Sequence, residues 1–236
     1  MTLFTRRAGC AALLLIAAVL AGCGDSEPDQ RKAFIKFLDD INQRVGVHFM
    51  VPTAEDRAAF GDYMKHYTII LDFNEDMKTM SADYQNAMKS IGPAGPQTLE
   101  QMAARRQDFV RIKDTTTNLM QAFETRLAKA KAERAALTQP DDLKTVYSKT
   151  FDKLIAAPVQ AMIVSDQALL AYVDSSAQVA DYINQNRGRL TVSGSQMRAK
   201  DAKALAEINA LIKAHQEAQK RFEDAQRAGD RVVNGR

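Results

Sequence analysis

The chain has 236 residues, of which 46% are hydrophobic, 26% charged and 7% aromatic. Its eleven glycines and six prolines are few for this length, which argues against an all-β sandwich, a collagen-like repeat or a long disordered tract. The formal charge of +3 does not predict nucleic-acid binding, which needs a clustered basic face, and two cysteines are too few for a disulfide framework or a cysteine zinc site.

The N-terminus has the composition of a secretory signal peptide. Arg6 and Arg7 precede an apolar run of fifteen residues at positions 8–22. This run is shorter than the roughly 20 residues that span a bilayer, but it has the length typical of the central region of a signal peptide. We therefore expect residues 1–22 to be cleaved from the mature chain.

The end of this run, Leu20-Ala21-Gly22-Cys23, resembles the lipobox of bacterial lipoproteins. The resemblance implies that a signal peptidase recognises Leu20, Ala21 and Gly22, that the Cys23 thiol receives a diacylglycerol group, and that its amine is acylated. The alternative is a plain signal peptide with a chance cysteine. We favour the lipobox because the basic region, the length of the apolar run and all four lipobox positions agree. Several acyl chains at Cys23 suffice for stable membrane anchoring.

The residues that follow Cys23 indicate which of the two membranes would hold its lipid anchor. By the sorting rule of enteric lipoproteins, an aspartate directly after the cysteine retains a protein at the inner membrane. Here Gly24 holds that position and Asp25 follows, which favours the periplasmic face of the outer membrane over the inner membrane. Cys10 is discarded with the signal peptide, so the mature chain has no second cysteine for a disulfide.

The first helix of the mature chain follows a short tether, residues 23–28. Asp29 is predicted to cap it, and Gly46 and Pro52 mark the region of its end. Its apolar residues recur at helical spacing and are Phe34, Phe37, Leu38, Ile41 and Val45.

The longest uninterrupted pattern lies in residues 53–91. Thr53 and Asp56 form a near capping box. Nine positions then alternate in steps of four and three, and they are Tyr63, Tyr67, Ile70, Asn74, Met77, Ser81, Tyr84, Met88 and Ile91. Seven of these nine are apolar or aromatic, which predicts a coiled-coil-like helix of about 38 residues. The run Gly92-Pro93-Ala94-Gly95-Pro96 ends it.

The next helix is predicted over residues 97–137, with Thr98 and Gln101 in a capping box. It carries eight basic and five acidic residues, whereas residues 53–91 carry four basic and seven acidic ones. These opposite net charges favour antiparallel packing of the two helices. Basic residues such as Lys129 and Lys131 alternate with acids, which is typical of a solvated face and which we favour over a patch for lipid A phosphates or anionic headgroups.

A further helix is predicted from Asp141 to about Arg187. Pro158 lies within its pattern and predicts a kink or a restart of the helix. Residues 190–192 are the one β-like stretch, and they form either an extended connector or one arm of a hairpin.

The last helix is predicted over residues 197–228, and residues 229–236 are expected to fray. Together the patterns predict an all-α fold, an antiparallel bundle of about five long helices in a single domain over residues 29–228, behind the lipoprotein signal peptide.

The acidic run at residues 72–76 resembles the start of an EF-hand loop. Met77 stands where the loop requires glycine, and Asp83 where it requires glutamate. We therefore interpret this run as the acidic face of a helix. No sequence pattern of an enzyme fits, and we expect no catalytic site, metal or cofactor.

The three histidines lie in separate segments and form no metal-binding motif. His215 falls on an apolar stripe and is interpreted as a satisfied interior residue. His66 is expected to pair with Asp62 on the surface, and His48 has no predicted role.

Ten methionines allow two interpretations. Five that lie on inward stripes are Met77, Met88, Met102, Met120 and Met162. We favour adaptable core filling, and the alternative is a deformable apolar groove for an acyl chain or a partner helix. Asn74 and Ser81, the polar positions of the long pattern, are interpreted as fixing the register of a helix pair.

Three blocks of the mature chain resemble the YiaF-like bacterial lipoproteins, a family with a domain of unknown function. They are Asp29-Gln30-Arg31-Lys32-Ala33-Phe34-Ile35 with Phe37-Leu38, Asp141-Asp142-Leu143-Lys144 through Phe151 to Pro158, and Asp181-Tyr182-Ile183. The resemblance implies an envelope lipoprotein without an established activity, and it assigns no catalytic residues. For Arg31 and Lys32 we favour the solvent side of the first helix over contact with phospholipid headgroups.

Two functions remain open from the sequence. The first is a non-catalytic envelope protein that is anchored to the membrane through Cys23 and binds a protein partner. The second is a periplasmic carrier or sensor that binds a lipid-like ligand between helices, near the break at Pro158. No nucleic-acid partner is expected.

Overall fold

The computed structural model describes residues 26–91 and 98–235. The predicted signal peptide, the predicted lipobox residues Leu20, Ala21, Gly22 and Cys23, and the predicted stop at residues 92–96 lie outside this part of the chain. The elements are α1 (Glu27–Gln43), α2 (Ala54–Phe60), a 3₁₀ turn (Gly61–Tyr63), α3 (Met64–Ile91), α4 (Leu99–Ala104), α5 (Arg106–Ala135), α6 (Asp141–Phe151), a π turn (Asp152–Ala156), α7 (Ala157–Gln185), β1 (Leu190–Ser193), β2 (Gln196–Ala199) and α8 (Ala202–Asn234).

The long helices pack in the order α3, α5, α7 and α8, each antiparallel to the next. Arg126 of α5 pairs with Asp76 of α3. Lys113 of α5 pairs with Asp174 of α7 at 2.8 Å. The Arg126–Asp76 pair connects the basic and the acidic helix as expected, the Lys113–Asp174 pair connects α5 to α7, and the all-α class is confirmed. Because α3 and α7 both run antiparallel to α5, they are parallel to each other.

One continuous helix of 45 residues, α6 with the π turn and α7, forms the spine of the fold. By length and composition alone it could cross a bilayer. In the structure it packs between α5 and α8. α1 lies along its first part, where Arg31 contacts Asp142 at 3.6 Å. α8 lies along its last part, where Tyr182 donates a hydrogen bond to Glu207 at 2.6 Å.

Two apolar cores are buried at different heights along this spine. The first lies between α1, α3, α5 and α6, and its largest fully buried side chains include Phe34, Tyr67, Phe73, Phe123, Tyr147 and Phe151. The second lies between α4, α5, α7, α8 and the β-hairpin, and it includes Met102, Phe109, Val173, Val179, Ile183 and Ile208. Both cores are thus built from described residues of the helices and the hairpin.

The expected unbroken helix over residues 53–91 is wrong. The capping box of Thr53 and Asp56 is present, but the chain turns at Gly61, so α3 has 28 residues. Gly61 has a φ of +50°, and a Cβ there would lie 2.2 Å from the Gln30 side-chain oxygen. Residues with a Cβ rarely adopt this positive φ, so the backbone favours glycine, whereas the Gln30 contact involves the end of a flexible side chain that can move.

The expected helix over residues 97–137 is also interrupted. Thr98 caps α4 by accepting a hydrogen bond from the Gln101 amide at 3.1 Å. Arg105 then leaves the helical conformation, with φ −97° and ψ 22°, and separates α4 from α5. Its guanidinium pairs with Asp108 in the first turn of α5 at 2.7 Å, which holds the two segments together.

The chain between α7 and α8 forms a two-stranded antiparallel hairpin, so the hairpin interpretation of residues 190–192 is confirmed. The predicted start of the last helix at Met197 is wrong, because Met197 belongs to β2. α8 begins after Asp201, whose carboxylate accepts a hydrogen bond from the Ala204 amide at 2.8 Å.

The predicted ends of two helices are corrected as well. α1 begins at Glu27, so Asp29 lies in its first turn rather than at its cap. α8 continues to Asn234, so residues 229–234 are helical and not a frayed tail. The end of α8 is held by the Val47 amide, which donates to the Val233 carbonyl at 2.8 Å.

Candidate functional site: a groove between α3 and α7

An apolar groove of about 410 Å³ lies between the parallel helices α3 and α7. The segment between α1 and α2, residues 44–53, forms its third side. The lining side chains are Val47, Phe49, Phe73, Asn74, Met77, Lys78, Ser81, Ala82, Gln85, Leu154, Pro158, Val159 and Met162. Its volume lies within the range of about 300–1,000 Å³ that is usual for small-molecule sites.

Pro158 lines this groove. Immediately before Pro158, the spine changes from an α-helix to a π turn. A proline inside a helix lacks the amide hydrogen and collides with the carbonyl four residues earlier, here that of Leu154. The π turn Asp152–Ala156 adds one residue to the turn and gives the ring room. The predicted disturbance at Pro158 therefore takes the form of a π turn, and the helix continues through it.

Lys153 in the π turn fixes the segment that covers the groove. Its ammonium donates hydrogen bonds to the carbonyls of Ile41 at 3.0 Å and Asn42 at 3.1 Å, and also to that of Arg44. The last carbonyls of a helix have no partner within it; that of Ile41 also accepts a hydrogen bond from the Arg44 amide, just after α1, at 3.2 Å. Burial, with a smaller contribution from Lys149, lowers the pKa of Lys153.

The ends of α1 and α8 meet above the π turn. A Cβ on Gly46 would lie 2.6 Å from the Val233 carbonyl oxygen, so the two chain segments are in contact there. Pro158 and Met162 line the groove towards α3 and also a smaller cavity of about 350 Å³ towards α8. The groove is therefore a gap that remains where two helices end against the same spine.

The two walls of the groove differ in polarity. Four polar residues, Asn74, Lys78, Ser81 and Gln85, follow one another on the α3 side at helical spacing. Asn74 and Ser81, which were predicted to fix the register of a helix pair, both line the groove. The α7 wall and residues 44–53 supply apolar side chains only.

The methionines divide between the two interpretations of the sequence. Met102 is buried in the second core, and Met120 packs against the first. Met77 and Met162 line the groove from opposite walls. Met88 is half-buried on α3. Methionines that fill the cores and methionines that line an apolar groove are thus both present among the described residues.

Asp166 lies one helical turn beyond Met162 on α7. Its Oδ2 atom is buried and has no hydrogen-bond partner among the described residues. Tyr84, whose hydroxyl lies 3.4 Å from that of Thr116, is close enough to feel its charge. Burial raises the pKa of Asp166 to about 6.

The histidines have structural partners. His215 is buried, and its Nδ1 lies 3.1 Å from the Ser175 hydroxyl, which confirms the interpretation as a satisfied interior residue. The pairing expected for His66 with Asp62 is wrong. His66 Nδ1 lies 3.1 Å from the Gln139 side-chain nitrogen, and Asp62 instead pairs with Lys65 at 2.7 Å.

Residues 72–83 all lie within α3, so they form no EF-hand loop. Among residues 26–91 and 98–235, no three His, Cys, Asp or Glu side chains are grouped so that they could hold a metal ion. Sequence reasoning pointed to Pro158, Met77 and Met162 as residues of a possible opening. It missed Val47 and Phe49, which follow the end of α1 and carry no pattern that places them over α7.

Comparison with known proteins identifies a family. The model of a family described as "Protein of unknown function (DUF3053)" matches residues 11–229. The uncharacterized protein YiaF of Escherichia coli (strain K12) is 26% identical over 202 residues, which cover 85% of this chain and 85% of YiaF. The uncharacterized protein YiaF of Shigella flexneri matches with the same identity and coverage. No solved structure gives a significant match. The resemblance to the YiaF-like family drawn from the three sequence blocks is confirmed, and lipid attachment stays a prediction.

Replacing Asp166 tests whether the buried carboxylate destabilises the folded chain when it ionises. Because its pKa is higher in the folded than in the unfolded chain, ionisation weakens the folded state as the pH rises through about 6. Asp166→Asn should therefore raise the free energy of unfolding at pH 7.5 by about 1 kcal/mol, a value reduced by the partial solvent exposure of the site. The gain should vanish at pH 4, where the folded chain carries Asp166 protonated.

The measurement is urea unfolding of both chains at the two pH values. Asp174→Asn is the matched control on the same helix, because Asp174 is half-exposed and paired with Lys113, and it should give no gain at pH 7.5. An equal gain at both pH values, or none, would contradict the account.

Proposed function

The chain belongs to the DUF3053 family of proteins of unknown function, and from its own residues we propose that it is a lipid-anchored envelope protein that presents a non-catalytic helical interaction module to the periplasm. The names of its relatives assign them no activity. The proposal therefore depends on the N-terminal sequence and on the surface of the helical array.

The proposal of a lipid anchor is supported by the lipobox-like sequence Leu20-Ala21-Gly22-Cys23. α1 begins at Glu27, four residues after Cys23. So short a tether holds the helical array close to the membrane surface, with Gly24 favouring the periplasmic face of the outer membrane. The groove between α3 and α7 is the surface through which we propose that the module binds a protein partner of the envelope.

The anchor is tested by metabolic labelling with a radioactive fatty acid in a Gram-negative host. The wild-type chain should incorporate the label and sediment with membranes, and Cys23→Ser should lose the label, because the acylated thiol is gone. Cys10→Ser is the matched control and should keep the label, since the cleaved segment contains Cys10. A wild-type chain without label, or a labelled Cys23→Ser chain, would overturn the anchor.

A second candidate function is that of a carrier or sensor for a lipid-like ligand. The observation in its favour is the groove of about 410 Å³ at Pro158, lined by Met77 and Met162. Methionine side chains adapt to irregular apolar ligands. In this candidate the groove holds an acyl chain instead of a protein segment.

Native mass spectrometry of residues 24–236, secreted without the lipobox and purified under mild conditions, distinguishes the two. An adduct of lipid mass that is lost on denaturation supports the carrier, and it should be absent from Ala82→Trp, whose ring fills the groove. Ala128→Trp, on the exposed face of α5, should retain it. A clean apo mass, or an adduct unaffected by Ala82→Trp, would contradict the carrier.

A further inference from the structure

A second pocket, of about 460 Å³, lies at the opposite side of the first core, where α5 ends and α6 begins. Its lining residues are Lys131, Arg134, Ala135, Leu137, Gln139, Lys144 and Ser148. Three of them are cationic, and none of the described residues that line it is acidic. The pocket is thus suited to an anion.

The three cations of this pocket differ in how they are held. Arg134 is fixed, since its guanidinium contacts Asp152 at 3.1 Å and the Ser148 hydroxyl at 3.0 Å and lies over the Phe151 ring at 4.9 Å. Lys131 and Lys144 are exposed. Neither ammonium has an ion-pair partner within residues 26–91 and 98–235. Two free ammonium groups therefore flank a fixed guanidinium.

Of the acids around the pocket, Glu133 and Asp142 contact cations that do not line it, and Asp152 contacts Arg134. Glu133 lies within 3.8 Å of Lys129 and 3.7 Å of Arg126. Asp142 is contacted by Arg31 at 3.6 Å. The exposed Asp141 is in the first turn of α6, where the helix dipole favours a carboxylate. Lys129 is therefore paired with Glu133, whereas Lys131 is exposed and has no ion-pair partner among the described residues.

The pocket lies at the end of the fold from which the tether to Cys23 starts. Arg31 of α1 contacts Asp142, two residues before Lys144. Glu27, at the start of α1, accepts a hydrogen bond from Tyr63, beside the His66 that contacts Gln139 of the pocket. Three residues separate Cys23 from Glu27, so the fully extended chain between their Cα atoms spans at most about 14 Å.

We propose that Lys131, Arg134 and Lys144 bind the headgroup phosphate of an anionic phospholipid in the membrane that holds Cys23. The proposal rests on the lipid anchor proposed above, and it adds an orientation. The end of the fold with α1 and the start of α6 faces the headgroups, and the spine carries the hairpin away from them. An anionic membrane surface attracts each nearby basic side chain, whereas the groove between α3 and α7 would stay accessible from the periplasm.

The experiment uses the full lipidated protein in two kinds of vesicle, phosphatidylethanolamine with phosphatidylglycerol, and phosphatidylcholine alone. A water-soluble reagent acylates the lysines, and the rate at each lysine is read by peptide mass spectrometry. Lys131 and Lys144 should react about fivefold more slowly in the anionic vesicles, the factor expected for one basic side chain at such a surface. Lys200 and Lys220, which are exposed and remote from the tether, should react equally in both.

A matched pair of variants tests whether the cations act as one site. Lys144→Glu should remove most of the protection of Lys131, whereas Lys200→Glu should leave it unchanged. Equal rates at Lys131 in both vesicles, or protection that survives Lys144→Glu, would overturn the headgroup site. Protection by inorganic phosphate without vesicles would also overturn it, in favour of a site for a free anion.

Vesicle flotation separates this outcome from failure of the anchor. A chain that does not float with either vesicle lacks the anchor. A chain that floats with both but shows no protection has the anchor without the headgroup site.

Discussion

Two helices that end against the same spine create the constraint on which the rest of this structure depends. α1 ends at Gln43 and α8 at Asn234, and both ends lie above the π turn of the α6–α7 helix. The last carbonyls of a helix have no partner inside it, and leaving a buried one unsatisfied costs about 1–3 kcal/mol. Lys153 provides donors for α1, and the Val47 amide provides one for α8. Lys153 and the Val47 amide thus supply the hydrogen-bond donors that the ends of α1 and α8 need where they meet.

The groove follows from that junction. Because α1 stops before Pro158 and α8 stops on the other side of it, neither covers Met162 completely, and residues 44–53 cross the gap. Tyr67 of α3 holds this crossing segment by donating a hydrogen bond to the Met50 carbonyl at 2.8 Å. The parallel arrangement of α3 and α7 on either side of α5 extends the gap along the molecule. A ligand or a partner segment in the groove would contact the junction directly through Val47 and Phe49.

Local sequence signals predicted most of the helices but not where they break or meet. Thr53 and Thr98 act as caps where predicted, because capping depends on residues three positions apart. The break at Gly61 was missed, since a single glycine costs a helix only about 1 kcal/mol and the apolar spacing does not reveal the positive φ that the chain adopts there. Of the groove, the sequence indicated Pro158 and the methionines. Lys153 could not be assigned, because its acceptors lie more than one hundred residues earlier in the chain.

Hydrogen exchange of the Lys153→Met chain is the most direct test of this account. Met keeps the unbranched apolar stem of the side chain but lacks the ammonium group that donates to the carbonyls of α1. The account predicts that the chain loses about 2 kcal/mol of unfolding free energy and that the Val47 amide exchanges much faster, whereas Lys149→Met, one turn earlier and exposed, changes neither. If Lys153→Met is as stable as Lys149→Met and protects Val47 equally, Lys153 does not hold the junction together.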